Sequence, residues 1–317
     1  MSFSILGTGM YVPENIVTND DLSKLVETSD EWISQRVGVR ERRIATTETA
    51  ADMACEAAQK ALENSGCRAE ELDLILAATV SGETVSPSVA CMVQHRLGAD
   101  CMAYDINAAC SAFIFLLETA AGYFARKKVK KVLVIGAERL SRILDWTDRG
   151  TCVIFGDGAG AAVLGEGKNY LDSTVTVKGG DDVIKIPNYI GSSPFFQNEA
   201  EKPYIHMNGQ ETFKYAVNAI CTDICGLLNS SALTAEEIKY IIPHQANKRI
   251  IDSAAKRLGF PKEKFYVNIE RYGNTSSASI PIALDEMNRT GMLQRGDKLI
   301  LTAFGGGLAN AACLIIW

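Results

Sequence analysis

An internal repeat constrains the fold of this chain more than any other feature of its sequence. Apolar runs recur in the same order in the two halves. The matched runs are 72–79 with 238–245, 103–112 with 266–277, 131–137 with 297–304 and 160–165 with 311–316. Self-similarity of this kind indicates that each half folds as a similar unit. We therefore predict two domains, residues 1–168 and 169–317, with their boundary in the segment G-E-G-K-N-Y-L-D at 165–172.

Helical patterns alternate with the repeated runs. The runs are almost wholly apolar, which is typical of strands covered on both faces by helices. The segments between them place apolar residues at helical spacing, and they are 48–65, 111–127, 210–229, 247–258 and 278–290. Alternation of strand and helix predicts an α/β fold with a parallel-rich sheet in each half. Because no Pro/Ser-rich linker separates the halves, we expect one rigid body with its active site between them.

Composition excludes several classes of protein. The 317 residues are 47% apolar and 22% charged, as in globular proteins, and the net charge of −6 argues against nucleic acid as the main partner. No apolar run approaches the ~20 residues of a membrane span, and the N-terminus lacks the charged region of a signal peptide, so we expect a cytoplasmic location. Nine cysteines without C-x-x-C pairs indicate free thiols, and three histidines without ligand spacing predict no metal site.

Three polar residues stand where a β-rich run gives way to small residues and then to a helix. They are Cys110, His244 and Asn274, and Cys110 lies opposite Asn274 when the halves are aligned. Helix N-termini direct free N–H groups at such junctions, so the set indicates nucleophilic cysteine catalysis with a lowered thiol pKa. Each residue also has an ordinary alternative: a buried thiol for Cys110, and helix caps for His244 and Asn274.

Two glycine-rich segments could bind a ligand through their backbone. The first, F-G-D-G-A-G-A at 155–161, resembles a dinucleotide fingerprint, but a strand follows it where a phosphate-binding turn requires a helix. The second, F-G-G-G-L-A-N at 304–310, follows a strand and could present N–H groups as an oxyanion hole does. The alternative for this second segment is a tight turn between strands.

An ordered series of motifs resembles the β-ketoacyl-[acyl-carrier-protein] synthase III family of the thiolase-like superfamily. The resemblance runs the full length of the chain and implies a five-layered αβαβα fold and a homodimer. The Cys–His–Asn set distinguishes this family from elongating synthases, which use Cys–His–His, and from thiolases, which use a second cysteine. The matching motifs include T-S-D-E-W-I-S-Q-R-V-G-V-R-E-R, A-A-C-S-A-F, T-D-R-G-T-C-V-I-F-G-D-G-A-G-A-A-V-L, M-N-G-Q-E-T-F, P-H-Q-A-N, Y-G-N-T-S-S-A-S-I-P and A-F-G-G-G.

The resemblance implies a decarboxylative Claisen condensation that initiates fatty acid synthesis without a cofactor. Cys110 would take the acyl group of an acyl-CoA primer, and malonyl-acyl-carrier-protein would then lose CO₂. His244, acting as a neutral donor, and Asn274 would stabilise the resulting enolate, so activity should fall at low pH. The backbone N–H groups of Cys110 and Gly306 would hold the second oxyanion, with Phe304 as an aromatic support.

The resemblance also implies binding residues. For CoA these are Trp32 and Arg149 as an adenine sandwich, Arg36 at a phosphate, and Gly209, Phe213 and Asn247 in the pantetheine tunnel. For the acidic carrier protein they are the basic residues Lys214, Arg249, Lys256 and Arg257, which could instead form an ordinary solvated face. For the acyl pocket they are Leu140, Phe155 and Ser86, the last on a loop from the partner subunit. The small Ser86 side chain predicts tolerance of branched or medium-chain primers.

Other functions are compatible with parts of the sequence. The nearest alternative is a synthase III-like enzyme of secondary metabolism with another acyl donor or acceptor. A hydroxymethylglutaryl-CoA synthase would require a glutamate base that the sequence does not indicate. A non-catalytic binding protein would not need Cys110, and a cysteine hydrolase would not explain the CoA-like positions.

Overall fold

The computed structural model describes residues 2–188, 191–197 and 201–317 and contains thirteen strands and nine α-helices within them. The strands are β1 (Ser2–Tyr11), β2 (Ile16–Thr18), β3 (Glu41–Arg43), β4 (Leu74–Ala78), β5 (Met102–Asp105), β6 (Lys131–Glu138), β7 (Gly158–Gly167), β8 (Tyr170–Val177), β9 (Ile184–Lys185), β10 (His206–Met207), β11 (Tyr240–Pro243), β12 (Lys298–Gly305) and β13 (Ala309–Ile316). The helices are α1 (Asn19–Leu22), α2 (Asp30–Arg36), α3 (Ala50–Ser65), α4 (Val89–Leu97), α5 (Ala112–Ala125), α6 (Gly209–Ser230), α7 (Lys248–Leu258), α8 (Ile269–Tyr272) and α9 (Ser279–Arg289).

Two sheets of related topology form the centre of the molecule. The first has the strand order β1-β7-β6-β4-β5 and the second β8-β13-β12-β11. The prediction of parallel-rich sheets is wrong, because β1, β6, β7, β8, β12 and β13 pair antiparallel, and β4–β5, β4–β6 and β11–β12 pair parallel. The described segments 139–157, between β6 and β7, and 306–308, between β12 and β13, contain no α-helix, and a parallel pair needs a crossover connection that is usually a helix.

The helices and sheets stack in five layers, which confirms the predicted αβαβα fold. Alternate residues of β4 face opposite sides: Leu76 packs in the cluster that holds α5 and α9, and Ile75 packs in the cluster that holds α3 and α4. In the second sheet Leu301 faces α5 and α9, whereas Ile300 faces α6 and α7. Helices α5 and α9 therefore form the middle layer between two doubly covered sheets.

The join between the halves is short. Strand β7 ends at Gly167 and β8 begins at Tyr170, which supports our proposed division into residues 1–168 and 169–317. The halves also bond to each other, for example through Thr8 Oγ1, which donates to Asp285 Oδ1 at 2.9 Å. In the described ranges we find no helix with the length and apolar character that a membrane crossing requires.

Candidate active site

A cavity of about 170 Å³ lies between the two halves, and all three predicted reactive residues line it. Cys110 comes from the first half, and His244 and Asn274 come from the second. Phe304 and Gly306 of the glycine-rich turn line the same cavity. The rest of the wall is largely apolar, with Ile154, Ile184, Ile186, Ile205, Met207 and Ile250 among its residues. The structure thus brings a thiol, an imidazole and a carboxamide together in an apolar chamber.

Cys110 stands in a single 3-10 turn, Ala109–Ser111, directly before α5. The turn begins with Ala109 at φ +47°, a left-handed conformation that is uncommon for a residue with a side chain. Burial raises the pKa of the Cys110 thiol to about 12, although a hydrogen bond from the Ser276 hydroxyl at 3.2 Å opposes the increase. The expectation of a lowered thiol pKa is therefore wrong, because desolvation of the thiolate outweighs the donors around it.

The repeat places a serine, not an asparagine, opposite the thiol. Ser276 opens a 3-10 turn, Ser276–Ala278, before α9, and its φ of +48° matches that of Ala109. Ala109 and Ser276 are therefore equivalent, and Cys110 corresponds to Ser277. The predicted match of Cys110 with Asn274 is therefore wrong. The two turns align at their first residues, Ala109 and Ser276, which share a positive φ, and this alignment pairs Cys110 with Ser277.

His244 follows β11, and its ring is held by a serine of α9. His244 Nδ1 lies 2.7 Å from Ser279 Oγ, and the Gln245 backbone N–H donates to the same oxygen at 3.4 Å. The Ser279 hydroxyl can donate to Nδ1, and in the tautomer that uses this bond the imidazole carries its proton on Nε2. The Phe304 ring packs edge-on at 5.4 Å, and burial lowers the pKa of His244 to about 3. The imidazole is therefore a neutral donor.

Asn274 is fixed through its backbone and its side-chain oxygen. Its N–H donates to the carbonyl of Ile154 at 2.9 Å, and its carbonyl accepts from Gly156 at 3.0 Å. Oδ1 accepts the Ser276 backbone N–H at 2.8 Å. Asn274 thus caps the short turn before α9, in part as the alternative interpretation expected. Its Nδ2 group is left to donate into the cavity that the residue lines.

The glycine-rich turn between β12 and β13 packs directly against the cysteine. A Cβ on Gly305 would lie 2.8 Å from the backbone nitrogen of Cys110, a distance that real Cβ atoms do not adopt. A Cβ on Gly306 would meet Ile184 and Ala109 at 3.5 and 3.7 Å, which is ordinary contact. The close approach of this turn to Cys110 therefore requires glycine at position 305. The segment is a turn between strands, as the alternative interpretation of the sequence predicted, and it also forms part of the cavity wall.

The predicted CoA residues fall into two groups. Gly209, Phe213 and Asn247 line the cavity, and Asn247 Nδ2 donates to the Arg36 carbonyl at 3.1 Å. Trp32 and Arg149 lie outside the lining, and the Arg149 guanidinium sits 4.9 Å from the Trp32 ring while donating to the Glu27 carbonyl at 2.8 Å. This direct stacking leaves no room for a base between them, so the predicted sandwich is not preformed.

The predicted basic surface is only partly unpaired. Lys214 pairs with Glu211 at 2.9 Å, and Arg257 donates to Asn218. The Arg249 guanidinium lies 5.7 Å from the ring of the cavity residue Phe213. Within the described part of the chain, Arg249 and Lys256 are in no ion pair. Arg249 is therefore a cation without an ion pair in the described chain that lies close to a residue of the cavity wall.

Two of the three predicted acyl-pocket residues line the cavity. Leu140 and Phe155 line it together with Val80. Ser86 does not, because it lies in an exposed loop beside Val85, whose side chain is 87% exposed. A single chain therefore does not bring Ser86 to its own cavity.

Four residues near the cavity were not singled out from the sequence. Ser276 bonds to Cys110, Ser279 holds His244, Ser277 lies opposite Cys110 in the repeat, and Glu138 is buried behind them. The serine cluster T-S-S-A-S could have indicated the first three, and a carboxylate ending the apolar run K-V-L-V-I-G-A-E could have indicated the fourth. Among the residues that the structure describes, no group of His, Cys, Asp and Glu side chains is arranged to hold a metal ion.

Comparison with known proteins gives consistent matches along the whole chain. A family model described as 3-oxoacyl-[acyl-carrier-protein (ACP)] synthase III matches residues 104–179, and a model of its C-terminal part matches 228–317. The β-ketoacyl-[acyl-carrier-protein] synthase III of Clostridium acetobutylicum is 47% identical, over 100% of this chain and 99% of its own length. The crystal structure of 3-oxoacyl-[acyl-carrier-protein] synthase III from Aquifex aeolicus superimposes with a TM-score of 0.93 at 45% identity, covering 99% of this chain and 100% of that one.

A fourth comparison bears on secondary metabolism. The priming β-ketosynthase of the R1128 polyketide pathway has a TM-score of 0.90 at 33% identity, covering 99% of this chain and 96% of that one. Its identity to this chain is lower than that of the two synthase III relatives.

Proposed function

The chain belongs to the β-ketoacyl-[acyl-carrier-protein] synthase III family and catalyses the condensation that initiates fatty acid synthesis, and from this premise we propose how its own residues carry the reaction. The substrates are an acyl-CoA primer and malonyl-acyl-carrier-protein, and the products are a β-ketoacyl-carrier-protein, CoA and CO₂. The observation that carries the proposal is the meeting of Cys110, neutral His244 and Asn274 in one apolar cavity. The alternative in secondary metabolism is not favoured.

Cys110 is the nucleophile of the first half-reaction. Its sulfur attacks the thioester carbon of acyl-CoA, and the carbon–sulfur bond to CoA breaks to give an acyl-enzyme. Because the thiol has a pKa of about 12, it is protonated at neutral pH and must lose its proton as the substrate reacts. The backbone N–H groups of Cys110 and Gly306 donate to the oxyanion, and Phe304 supports this side of the chamber.

His244 and Asn274 act in the second half-reaction. Loss of CO₂ from the malonyl thioester leaves an enolate with its charge on the thioester oxygen. Nε2–H of His244 and Nδ2–H of Asn274 are the two side-chain donors left free by the bonds to Ser279 and Ser276. Donors prepared in a water-poor cavity stabilise this charge without reorganisation as it develops. The enolate carbon then attacks the acyl group on Cys110.

The substrate-binding residues act along the path to the cavity. We assign the pantetheine arm to Gly209, Phe213 and Asn247, and the CoA nucleotide to Trp32, Arg36 and Arg149, with Arg149 moving off the Trp32 ring to admit the base. We assign carrier-protein docking to the basic residues Lys214, Arg249, Lys256 and Arg257. Acyl-CoA is a substrate, so the chemistry assigned to these residues needs no cofactor, and we propose a cytoplasmic location.

A homodimer completes the acyl pocket in this proposal. The exposure of Ser86, and its position away from its own cavity, support a role in the cavity of a second copy. With a serine at this point, beyond Leu140 and Phe155, the pocket accepts primers longer than acetyl. Native mass spectrometry tests the dimer, and a monomer at micromolar concentration would contradict it.

Intact-mass spectrometry tests the central proposal. The protein is incubated with acetyl-, isobutyryl- and hexanoyl-CoA beside Cys110→Ala, with Cys152→Ala as a matched control for a buried thiol outside the cavity lining. We expect one acyl adduct that is lost in Cys110→Ala and retained in Cys152→Ala. An adduct that persists in Cys110→Ala would assign the nucleophile elsewhere, and loading of acetyl alone would contradict the wide pocket.

A further inference from the structure

A fully buried arginine bonds to the segment that holds Asn274. Arg42, in β3, is 0% exposed, and burial lowers its pKa to about 10, so its guanidinium is still charged at neutral pH. Burying a charge is costly unless the charge is paired. Within the described residues, however, Arg42 is in no ion pair with a carboxylate. Its charge therefore does something other than balance an acidic side chain.

The guanidinium joins three separate parts of the fold. Nη1 donates to the Val17 carbonyl of β2 at 3.1 Å. Nη2 donates to Asn19 Oδ1 at 2.8 Å and to the Val153 carbonyl at 2.9 Å. Hydrogen bonds from a charged donor are roughly twice as strong as those between neutral groups, so the Val153 carbonyl is held firmly. This bond leads to the cavity, because the next two residues, Ile154 and Phe155, both line it.

Asn274 is held by the same segment. Its backbone N–H donates to the Ile154 carbonyl at 2.9 Å, and its own carbonyl accepts from the Gly156 N–H at 3.0 Å. Arg42 bonds to the carbonyl of the residue directly before these two contacts. A shift of residues 153–156 would therefore move Asn274 with them.

The stem of Arg42 packs where the two segments meet. A Cβ on Gly156 would lie 3.2 Å from the Arg42 Cβ, and a Cβ on Gly273 would lie 3.3 Å from the same atom. Gly156 directly follows Phe155, Gly273 directly precedes Asn274, and Phe155 and Asn274 pair as a parallel bridge. Arg42 therefore packs against both segments of this bridge, beside the two residues that line the cavity.

We propose that Arg42 is a positioning residue that holds the Nδ2 group of Asn274 in place for the enolate oxygen. The inference rests on the proposed role of Asn274 in the second half-reaction. Asn274 acts on the malonyl thioester, whereas the attack of Cys110 on acyl-CoA relies on the backbone N–H groups of Cys110 and Gly306. Loss of Arg42 should consequently slow decarboxylation and spare acyl loading.

Separate assays of the two half-reactions test this role. The variant Arg42→Met is compared with the parent for acyl loading of Cys110 from acetyl-CoA, by intact mass, and for release of CO₂ from malonyl-acyl-carrier-protein. Arg295→Met is the matched control. Arg295 also donates through both Nη groups to backbone carbonyls, those of Ile5 at 2.8 Å and Leu6 at 3.4 Å, but it lies outside the cavity lining.

The two rates should respond differently to the loss of Arg42. We expect decarboxylation to fall about tenfold or more in Arg42→Met, a part of the roughly 100-fold that removal of one prepared donor costs, and loading to stay within about twofold of the parent. Arg295→Met should keep both rates. Parent-like decarboxylation in Arg42→Met would overturn the proposal, and so would an equal loss of both rates, which would indicate general damage to the fold.

A second background shows whether Arg42 acts through Asn274. In Asn274→Ala, the further change Arg42→Met should reduce decarboxylation by less than about twofold, because nothing is left to position. An equal further loss in the parent and in Asn274→Ala would overturn the proposal. Where Arg42→Met does not fold, Arg42→Lys, which keeps the charge but not the planar fork, enters the same comparison with an expected loss of several-fold. Unchanged decarboxylation in Asn274→Ala alone would instead reject the function proposed for Asn274.

Discussion

His244 couples the chemistry of the cavity to the acid stability of the fold. Its pKa in the folded protein is about 3, below the ordinary value of 6.5. The unfolded chain therefore binds a proton at this residue at a higher pH than the folded chain does. By linkage, the stability associated with neutral His244 is fully present above about pH 6.5 and is lost progressively as the pH falls towards 3.

We expect His244 to make the protein about 2 kcal/mol less stable at pH 5 than at pH 7, from a cost of about 1.4 kcal/mol per pH unit below 6.5. Urea unfolding at the two pH values measures this in the parent and in His244→Asn, where that part of the pH dependence should disappear. The difference between the two proteins isolates the residue, because other groups such as Asp223, with a pKa raised to about 6, titrate in both. An identical pH dependence in the two proteins would contradict the burial of a neutral imidazole.

The same residue shows what the sequence could and could not predict about the site. Cys110, His244 and Asn274 were selected because each stands at a strand-to-helix junction, and the structure places all three at one cavity. Their electrostatic environment depends on how deeply the chain buries them, which no local pattern reports. Burial consequently raises the pKa of the Cys110 thiol, where the sequence led us to expect a lowered value. The pKa of His244 is lowered to about 3, so protonation of this residue reduces activity only near pH 3.

At the scale of elements, the turn between β12 and β13 determines where the nucleophile can stand. We expect Gly305→Ala to reduce acyl loading of Cys110 at least tenfold, because the added Cβ would sit 2.8 Å from the Cys110 nitrogen and displace its turn. Gly306→Ala is the matched control, since its Cβ has ordinary contacts of 3.5 Å or more and its backbone N–H is kept. Initial loading rates measured by intact mass check both. Equal rates in the two variants would show that the turn tolerates a shift of Cys110.

Helix α7 carries the cation that we expect to matter most for docking. Arg249 is in no ion pair within the described chain and lies 5.7 Å from the Phe213 ring at the cavity wall. We expect Arg249→Glu to raise KM for malonyl-carrier-protein several-fold and to leave acyl-CoA loading unchanged, because charge complementarity acts on encounter with the acidic partner. Lys128→Glu, an exposed change after α5, is the control. An unchanged KM in Arg249→Glu, at low salt, would place the docking surface elsewhere.

Element types were predictable to different degrees. The helices expected at 48–65, 111–127, 210–229, 247–258 and 278–290 all form, within two residues at each end, because their apolar spacing and end signals agree. The short helices α1, α2 and α8 were not predicted, and four strand pairs are antiparallel where parallel pairing was expected. Strand direction depends on whether a connection crosses the sheet, and the long segment before β7 contains no crossover helix that could have signalled it.

At the scale of the whole molecule, the two repeated halves share one core. Helix α5 of the first half and α9 of the second fill the layer between the sheets, and Phe113 and Leu284 belong to a single buried cluster with residues of both sheets. Hydrogen bonds cross the same boundary, including Arg295 Nη1, which donates to the Ile5 carbonyl at 2.8 Å. Removing one half would expose the middle layer of the other, so neither half has a complete core alone.

We therefore expect the chain to unfold in one cooperative step despite its duplicated sequence. Trp32 and Trp146 report on the first half and Trp317, which is 3% exposed, reports on the second. The variant Trp317→Phe keeps the reporters of the first half, and the double variant Trp32→Phe/Trp146→Phe keeps the reporter of the second. In each variant, the urea midpoint from fluorescence should equal the midpoint from circular dichroism, which reports on the whole chain. A single midpoint is expected because a shared middle layer cannot remain packed on one sheet while the other is unfolded. Separate midpoints for the two reporters would instead show that the halves fold independently.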